Sequence, residues 1–114
     1  MTEEIWKPVT ADPYTDLYSV SNLGRVKRTK RCRRNGKVGR VLIPFVDKKG
    51  YHWVVLRHNY QARRFSVHKL VALAFIGEVP DGKEIDHIDR SKDNNNHSNL
   101  RYISHHENIL HKWI

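Results

Sequence analysis

The sequence predicts an α+β fold, in which an N-terminal antiparallel β-sheet is followed by a connecting helix and then by a strand, a long loop, a strand and a helix. Short apolar segments alternate with turn residues in the first half, apolar residues recur at helical spacing from residue 67, and an asparagine-rich stretch separates two short apolar segments further on. A chain of 114 residues supports one modest core. We therefore expect one compact domain with two functional parts, residues 1–66 and 67–114.

Five strands are expected in the first half. Turn residues at 22–24, 35–36 and 47–50 separate the apolar segments, and such short turns are typical of antiparallel hairpins. The predicted strands are Leu17–Ser21, Arg25–Arg28, Arg40–Val46, Tyr51–Arg57 and Arg63–Val67. The region up to residue 66 is therefore predicted to be β-rich.

A helix is expected directly after this region and connects the two parts of the domain. Ser66 is a candidate N-cap, and Gly77 and Pro80 are expected to end the helix. The apolar residues at helical spacing are Val67, Leu70, Val71, Ala74 and Phe75.

The C-terminal unit is predicted to run strand, loop, strand, helix. Glu84–Ile88 and Leu100–Ile103 are the strands, and the polar stretch Asp89–Ser98 between them is a loop. Ser104 and Glu107 have the spacing of a capping box, in which two side chains satisfy backbone N–H groups at a helix start. A last helix over about residues 105–112 follows.

The chain is strongly basic, with 21 Lys and Arg against 12 Asp and Glu, a net charge of +9 and a pI of about 9.9. This balance favours a polyanionic partner, although a basic soluble protein without one stays open. A dense cluster of cations around an expected hairpin suits a phosphate backbone or a groove, with a solvated basic loop as the alternative. These cations are Arg25, Lys27, Arg28, Lys30, Arg31, Arg33, Arg34, Lys37 and Arg40. Tyr51, Trp53 and Tyr60 are candidates for stacking on bases, although the position of Trp53 in an alternating strand favours a core role for it.

Cysteine usage and the N-terminus bear on the compartment. Cys32 is the lone cysteine, so neither an internal disulfide nor a Cys-based zinc site is available, and a reducing cytosol fits. The first residues lack the basic and then apolar layout of a signal peptide, and no long apolar segment follows. We expect a cytoplasmic protein without membrane contact.

Three polar residues of the C-terminal unit are suited to phosphodiester chemistry. Asp86 and His87 end its first strand, and Asn108 lies one turn into its helix, which could fold back across the hairpin. Carboxylate and amide oxygens are hard ligands that suit Mg²⁺. An imidazole, whose unperturbed pKa is about 6.5, is suited to act as general base for a water that attacks phosphorus, while a metal stabilises the leaving oxygen.

Two blocks of motifs occur along the chain. The C-terminal block comprises Val67–Phe75, Ile85–Asp89, Asn94–Asn95, Asn99–Leu100 and Glu107–Asn108, and the N-terminal block comprises Glu4–Pro8 and Tyr18–Val26. The first block resembles the HNH endonucleases of phages and mobile introns, and the second is similar to a short motif found ahead of HNH modules in those enzymes. The resemblance covers nearly the whole chain and implies a C-terminal ββα-metal unit of the HNH, or His-Me finger, type.

The resemblance also implies a role for each polar residue. His87 would be the general base, and Asn99 would tie the loop to the hairpin and orient that base. Asp86 and Asn108 would hold one Mg²⁺ or Mn²⁺ ion. Asn108 stands where many family members have histidine, but an asparagine still offers a metal-binding oxygen. Ser91 stands where relatives often carry asparagine, which concerns the loop and not the site.

The implied function is a homing-type endonuclease that hydrolyses DNA in a bacterial or phage-infected cell and leaves a 5′-phosphate and a 3′-hydroxyl. Target sequence, nicking or double-strand cleavage, and a homodimer or accessory protein are left open. A non-catalytic nucleic-acid-binding module on the HNH scaffold is the alternative, and an RNA-binding protein would leave the second half unexplained. His68 is expected to pack and hydrogen-bond. A zinc site among His97, His105, His106 and His111 lacks a recognised spacing.

Overall fold

The computed structural model describes residues 3–30 and 38–113, with side chains as far as residue 110, and its architecture is α+β as predicted. The elements in chain order are β1 (Trp6–Pro8), β2 (Tyr18–Ser21), β3 (Val26–Arg28), β4 (Phe45–Val46), β5 (His52–His58), β6 (Gln61–Ser66), α1 (Val67–Phe75), β7 (Lys83–His87), β8 (Leu100–Ser104) and α2 (His105–Trp113). A 3-10 turn at His97–Asn99 precedes β8. In the described ranges, no helix is long and apolar enough to cross a membrane.

The N-terminal region holds two antiparallel sheets where the sequence predicts one. Strands β1, β2 and β3 form the first sheet in that order, and β4, β5 and β6 form the second. Strand β1 has no counterpart in the prediction, because three residues that end in Pro8 are too few to show alternation. A proline is tolerated there because β1 is an edge strand.

The predicted strand Arg40–Val46 is wrong as a continuous element. Val41 forms an isolated bridge with Lys27, and regular pairing resumes only in the two-residue strand β4. Pro44, between them, has no N–H to donate to a ladder, which explains the interruption. The predicted turn at residues 35–36 lies outside the described residues.

Strands β5 and β6 form a regular ribbon with a two-residue turn. His58 pairs with Gln61, and Asn59 takes a positive φ of 54° in the turn, a conformation that asparagine tolerates. Strand β6 therefore begins at Gln61, before the predicted Arg63, and ends at Ser66, directly before α1. Ser66 occupies the N-cap position with an extended backbone, but its side chain makes no capping hydrogen bond.

The core lies between the two N-terminal sheets and α1. The helix buries Val67, Leu70 and Val71 as its spacing predicts, and each fully buried aliphatic side chain contributes roughly 1.5–3 kcal/mol. The helix also buries Ala72, and the rest of the buried cluster comes from the sheets, from the segment between β1 and β2, and from β8. These residues are Tyr18, Val20, Val26, Val54, Leu56, Val9, Tyr14 and Leu100. Because α1 packs on both halves of the chain, it holds the C-terminal unit against the sheets.

The C-terminal unit is the predicted strand, loop, strand and helix. Strands β7 and β8 pair antiparallel, with Asp86 opposite Arg101 and His87 opposite Leu100. The capping box of α2 is confirmed, because the Glu107 N–H donates to Ser104 Oγ at 3.1 Å and the Ser104 N–H donates to Glu107 Oε1 at 3.3 Å. Helix α2 therefore starts immediately at the end of β8 and packs on the hairpin.

Candidate active site

The end of β7 presents Asp86 and His87 to opposite faces of the β7–β8 hairpin, because successive side chains of a strand alternate. Both residues are only 6% exposed. Asp86 shares its face with Glu84 two residues earlier, and this face meets α2. His87 lies on the other face, against α1. The two groups therefore flank the strand end from two sides.

On the α2 face, Asp86 accepts a hydrogen bond at 2.9 Å from Nε of Arg101, its cross-strand partner. Asn108, buried on α2, donates its side-chain amide to Glu84. An amide that donates through Nδ2 keeps Oδ1 as an acceptor. A buried carboxylate and an amide oxygen on one face are the hard donors that Mg²⁺ or Mn²⁺ requires, so these residues fit such an ion.

On the α1 face, His87 packs in a cluster of three rings. The centroid of His68 lies 5.1 Å from that of His87, and the centroid of Tyr51 lies 5.3 Å from His68 and 6.1 Å from His87. Burial, helped by the charges of His87 and Lys69, lowers the pKa of His68 to about 4. His68 Nδ1 is buried with no hydrogen-bond partner within the described residues. The ring packing expected for His68 is therefore present, whereas Nδ1 contributes nothing to the hydrogen bonding expected of this residue.

Asn95, to which the sequence assigned no role, contacts the His87 ring directly. Its Oδ1 lies 2.8 Å from His87 Nε2, and both side chains are buried. The carbonyl oxygen of an amide only accepts, so this contact is a hydrogen bond in the tautomer that carries its hydrogen on Nε2. The asparagine pair in the motif was a signal for this contact, but the sequence does not say which asparagine turns inward.

Asn99 holds the loop and not the ring. Its Oδ1 accepts from the Asp89 N–H at 3.0 Å, and its Nδ2 donates to Asp89 Oδ1 and to the Asn94 carbonyl, both at 2.9 Å. The Asn94 amide, the Ser91 N–H and Asn99 together hold the pKa of Asp89 below its usual range. These hydrogen bonds join the loop to the end of the hairpin through Asp89, and the role that the resemblance implies for Asn99 toward His87 stays a prediction.

Two contacts from the N-terminal region hold the loop from outside. The His97 N–H donates at 2.8 Å to the carbonyl oxygen of Asn22, in the turn between β2 and β3. Lys92 Nζ donates at 2.8 Å to the carbonyl oxygen of Lys49 and lies 4.7 Å from the centroid of Tyr51. The loop that carries Asn95 is therefore bound to both N-terminal sheets.

Some cations of the predicted basic cluster contact neighbouring side chains, and others are exposed. Arg25 donates at 2.8 Å to Glu4, and Arg28 donates at 2.8 Å to the Tyr18 hydroxyl. Lys27 lies 4.1 Å from the centroid of a Trp6 ring. Lys30 and Arg40 are exposed, whereas Arg31, Arg33, Arg34 and Lys37 lie outside the described residues.

A second basic surface was missed by the sequence reasoning, which looked only for dense runs of cations. We call the β5–β6 hairpin the ribbon. It carries Arg57, Arg63 and Arg64, all exposed, and ends in Tyr60, which is 96% exposed. Alternation along a strand indicates exposed positions, and Arg63 and Arg64 at the start of the predicted strand Arg63–Val67 were the available signal.

No group of three or more His, Cys, Asp or Glu side chains is arranged to hold a metal ion in the part of the chain that the structure describes. The zinc alternative concerned four histidines, and the side chain of His111 lies outside the described residues. The pair Asp86 and Asn108 contains only one residue of those four types, so this finding does not bear on it.

Comparisons with known proteins agree with the two motif blocks. Residues 65–110 match a family described as HNH endonuclease, and residues 4–57 match the NUMOD4 motif. The DNA endonuclease I-HmuI of Bacillus phage SP01 is 36% identical over 104 residues, which cover 91% of this chain and 55% of I-HmuI. The HNH endonuclease L245 of Acanthamoeba polyphaga mimivirus is 36% identical over 96 residues, which cover 84% of this chain and 27% of that protein.

A solved structure of I-HmuI, described as DNA binding and cleavage by this HNH homing endonuclease, superposes with a TM-score of 0.79. The two chains are 33% identical, and the match covers 96% of this chain and 57% of the other. The chain therefore spans about half the length of I-HmuI and a smaller share of the viral relative.

Proposed function

Because the chain belongs to the HNH endonuclease family and carries a NUMOD4 motif ahead of its HNH unit, we propose that it is a metal-dependent DNA endonuclease. One observation carries the proposal. Asp86 and His87 are both buried at the end of β7, with an asparagine-bearing helix on one side and a histidine-bearing helix on the other. Buried polar groups need partners or a task, and this set suits the cleavage of a phosphodiester.

In this proposal His87 takes a proton from a water molecule as the water oxygen attacks phosphorus. The bond from phosphorus to the 3′ oxygen breaks, and this oxygen takes a proton from solvent, which leaves a 5′-phosphate and a 3′-hydroxyl. Asp86 and Asn108 would hold one Mg²⁺ or Mn²⁺ ion, which when bound supplies stabilisation of the charge on the leaving oxygen. Asn99 keeps the loop closed through Asp89, so that His87 keeps its place.

We assign DNA binding to the ribbon together with the basic segment 25–40. A two-stranded ribbon fits the major groove, and arginine forms bidentate contacts with phosphate or guanine. From Tyr51, beside His87, the ribbon extends seven residues to His58, or about 23 Å at ~3.3 Å per residue. A ribbon laid along the DNA axis would therefore reach about seven base pairs from the cut, at ~3.4 Å per base pair.

Further parts of the proposal follow from the relatives. Residues 1–66 would mainly contact DNA and residues 67–114 would carry the chemistry, within one domain. A homing-type enzyme of a phage or bacterial cell would act in the cytoplasm, where its DNA target lies. A homodimer or an accessory protein would extend a short contact surface.

The test is incubation of supercoiled plasmid with purified protein, with and without Mg²⁺ or Mn²⁺, followed by gel electrophoresis. Metal-dependent nicked or linear product is expected, and ligation of the ends reports the 5′-phosphate. The alternative, a non-catalytic nucleic-acid-binding module, predicts a mobility shift without product at any metal concentration.

A further inference from the structure

The turn between β2 and β3 lies against the loop that contacts His87. Gly24 in this turn has a φ of +93°, a backbone conformation that residues other than glycine rarely adopt. A Cβ on Gly24 would lie 2.9 Å from the Asn95 Cβ and 3.0 Å from the Asn95 carbonyl oxygen. Neither atom is the end of a flexible side chain, so only a glycine allows this approach.

The turn is itself tied down by hydrogen bonds. Ser21 Oγ accepts from the Leu23 N–H at 3.2 Å and from the Arg25 N–H at 3.1 Å. Asn22, buried, accepts from the Ile5 N–H at 2.7 Å through Oδ1, and its carbonyl oxygen accepts from the His97 N–H at 2.8 Å. The turn is therefore a fixed surface against which the loop packs, and its hydrogen bond to the loop is made at His97, two residues after Asn95.

The contact from Asn95 to His87 determines which ring nitrogen is available for chemistry. When Asn95 Oδ1 accepts a hydrogen bond from His87 Nε2 across the 2.8 Å contact, Nδ1 carries the lone pair of the neutral ring. Within the described residues, Nδ1 makes no hydrogen bond. The fully buried polar atoms without a partner there are Tyr14 Oη and His68 Nδ1, so His87 Nδ1 keeps some contact with solvent. It is therefore the nitrogen that a water molecule can reach.

We propose that the β2–β3 turn of the NUMOD4 motif positions the HNH site: Gly24 seats Asn95, and Asn95 holds His87 as the Nε2–H tautomer with Nδ1 as the proton acceptor. This inference rests on the proposed function, in which His87 is the base. The N-terminal motif thereby acts on the chemical step and not only on DNA. Gly24 and Asn95 are positioning residues, because they act through His87.

The first test is the tautomer itself, read by long-range ¹H–¹⁵N NMR of the side chains at alkaline pH, without metal or DNA. Wild type should show His87 protonated at Nε2. Asn95→Asp keeps an acceptor oxygen and should retain this tautomer, whereas Asn95→Ala should lose the preference. A wild-type ring protonated at Nδ1 overturns the proposal, and so does an unchanged tautomer in Asn95→Ala. Neither reading requires cleavage, so each is distinct from failure of the proposed activity.

The second test is single-turnover cleavage at saturating protein. Asn95→Ala should lower the rate by roughly 10- to 100-fold, the range typical of losing an outer partner of an active-site group, with unchanged DNA affinity. Asn95→Asp should restore most of the rate, which a merely structural loss would not predict.

The third test compares two glycines of positive φ. Gly24→Ala should change the His87 tautomer and lower the cleavage rate, whereas Gly82→Ala, at φ +76° with nothing within 4 Å of its added Cβ, should change neither. A folded Gly24→Ala variant with wild-type tautomer and rate overturns the role of the turn. If Gly24→Ala does not fold, Asn22→Ala replaces it, because that change loosens the same turn by removing the Asn22 side-chain hydrogen bonds. A wild-type tautomer in folded Asn22→Ala then overturns that role.

Discussion

The two hairpins of this protein have similar length and opposite uses of polar residues. The ribbon pairs six positions, closes with two residues and exposes its arginines. The β7–β8 hairpin pairs five positions, closes with the long loop 88–99 and buries Asp86 and His87. A tight turn makes a hairpin stiff by local contacts alone, whereas a long loop must be held from elsewhere.

The difference teaches what each task requires. Phosphate binding needs exposed cations on a stiff support. Because these cations stay hydrated in the free protein, exposing them carries no desolvation cost. Proton transfer needs groups that are held in one geometry and shielded from bulk solvent, and the buried polar atoms that take no part in the chemistry need hydrogen-bond partners. The N-terminal turns supply those partners for the loop through Asn22 and Lys49.

The largest expected effect is the loss of the acid on β7. Asp86→Ala should reduce metal-dependent cleavage to background, because the carboxylate is the charged group of the proposed metal site. Asn108→Ala should raise the metal concentration needed for the half-maximal rate, and Asn108→His should retain activity. The exposed acid Asp81 supplies the control variant Asp81→Ala. Calorimetry that shows Mn²⁺ binding to the Asp86→Ala, Asn108→Ala double variant as in wild type contradicts the site.

Loss of the base should come next. His87→Ala should lower single-turnover cleavage at least ~10²-fold while DNA affinity changes little, because a general base acts only in the chemical step. His106→Ala, exposed on α2, is the matched control. Cleavage within a few-fold of wild type in His87→Ala would falsify the assignment.

The ribbon should show the reverse pattern. Replacing Arg57, Arg63 and Arg64 with Ala should make the slope of log K against log salt shallower by about two to three, since each phosphate contact contributes about 0.9. Single-turnover cleavage at saturating protein should stay within about tenfold of wild type. Anisotropy across a salt series measures the slope.

A second set, Lys30, Arg31, Arg33 and Arg34 to Ala, tests the basic segment in the same way, with an expected change of roughly two to four. Comparison of the two sets decides how the phosphate contacts are divided. An unchanged slope in one set removes that surface from the interface, and a collapsed rate at unchanged affinity places its arginines in the active site.

The smallest effect concerns stability and His68. Burial lowers the pKa of His68 from about 6.5 to about 4, so between these values the unfolded chain binds a proton that the folded protein does not. The contribution is full above about pH 6.5 and is lost as pH falls, by about 2 kcal/mol at pH 5. The free energy of unfolding, measured in urea for wild type and His68→Phe at pH 5 and above pH 6.5, isolates the contribution of His68. An equal pH dependence in the two proteins contradicts the assignment.

The sequence by itself determined what local periodicity and local capping encode. The spacing of Val67, Leu70 and Val71 predicted α1, and Ser104 with Glu107 predicted the start of α2. It also predicted that Asp86 and His87 lie at the end of a strand. The change from this short strand to the polar loop that follows is visible in the local sequence, without knowledge of distant contacts. The roles of His87, Asp86, Asn99 and Asn108 came from the family resemblance and stay predictions.

Only the tertiary structure decided what depends on contacts distant in sequence. Alternation indicates a strand but not its sheet, so the division of the N-terminal strands into two sheets and the short edge strand β1 were not predictable. Several asparagines of the loop have the same chemistry, and burial alone distinguishes Asn95, which turns toward His87, from the exposed Asn94. Gly24 meets Asn95 across about seventy residues of chain, and no local pattern records such a contact. The physical reason is that side-chain periodicity is a property of a few neighbouring residues, whereas the geometry of a buried site is set by which distant surfaces pack together.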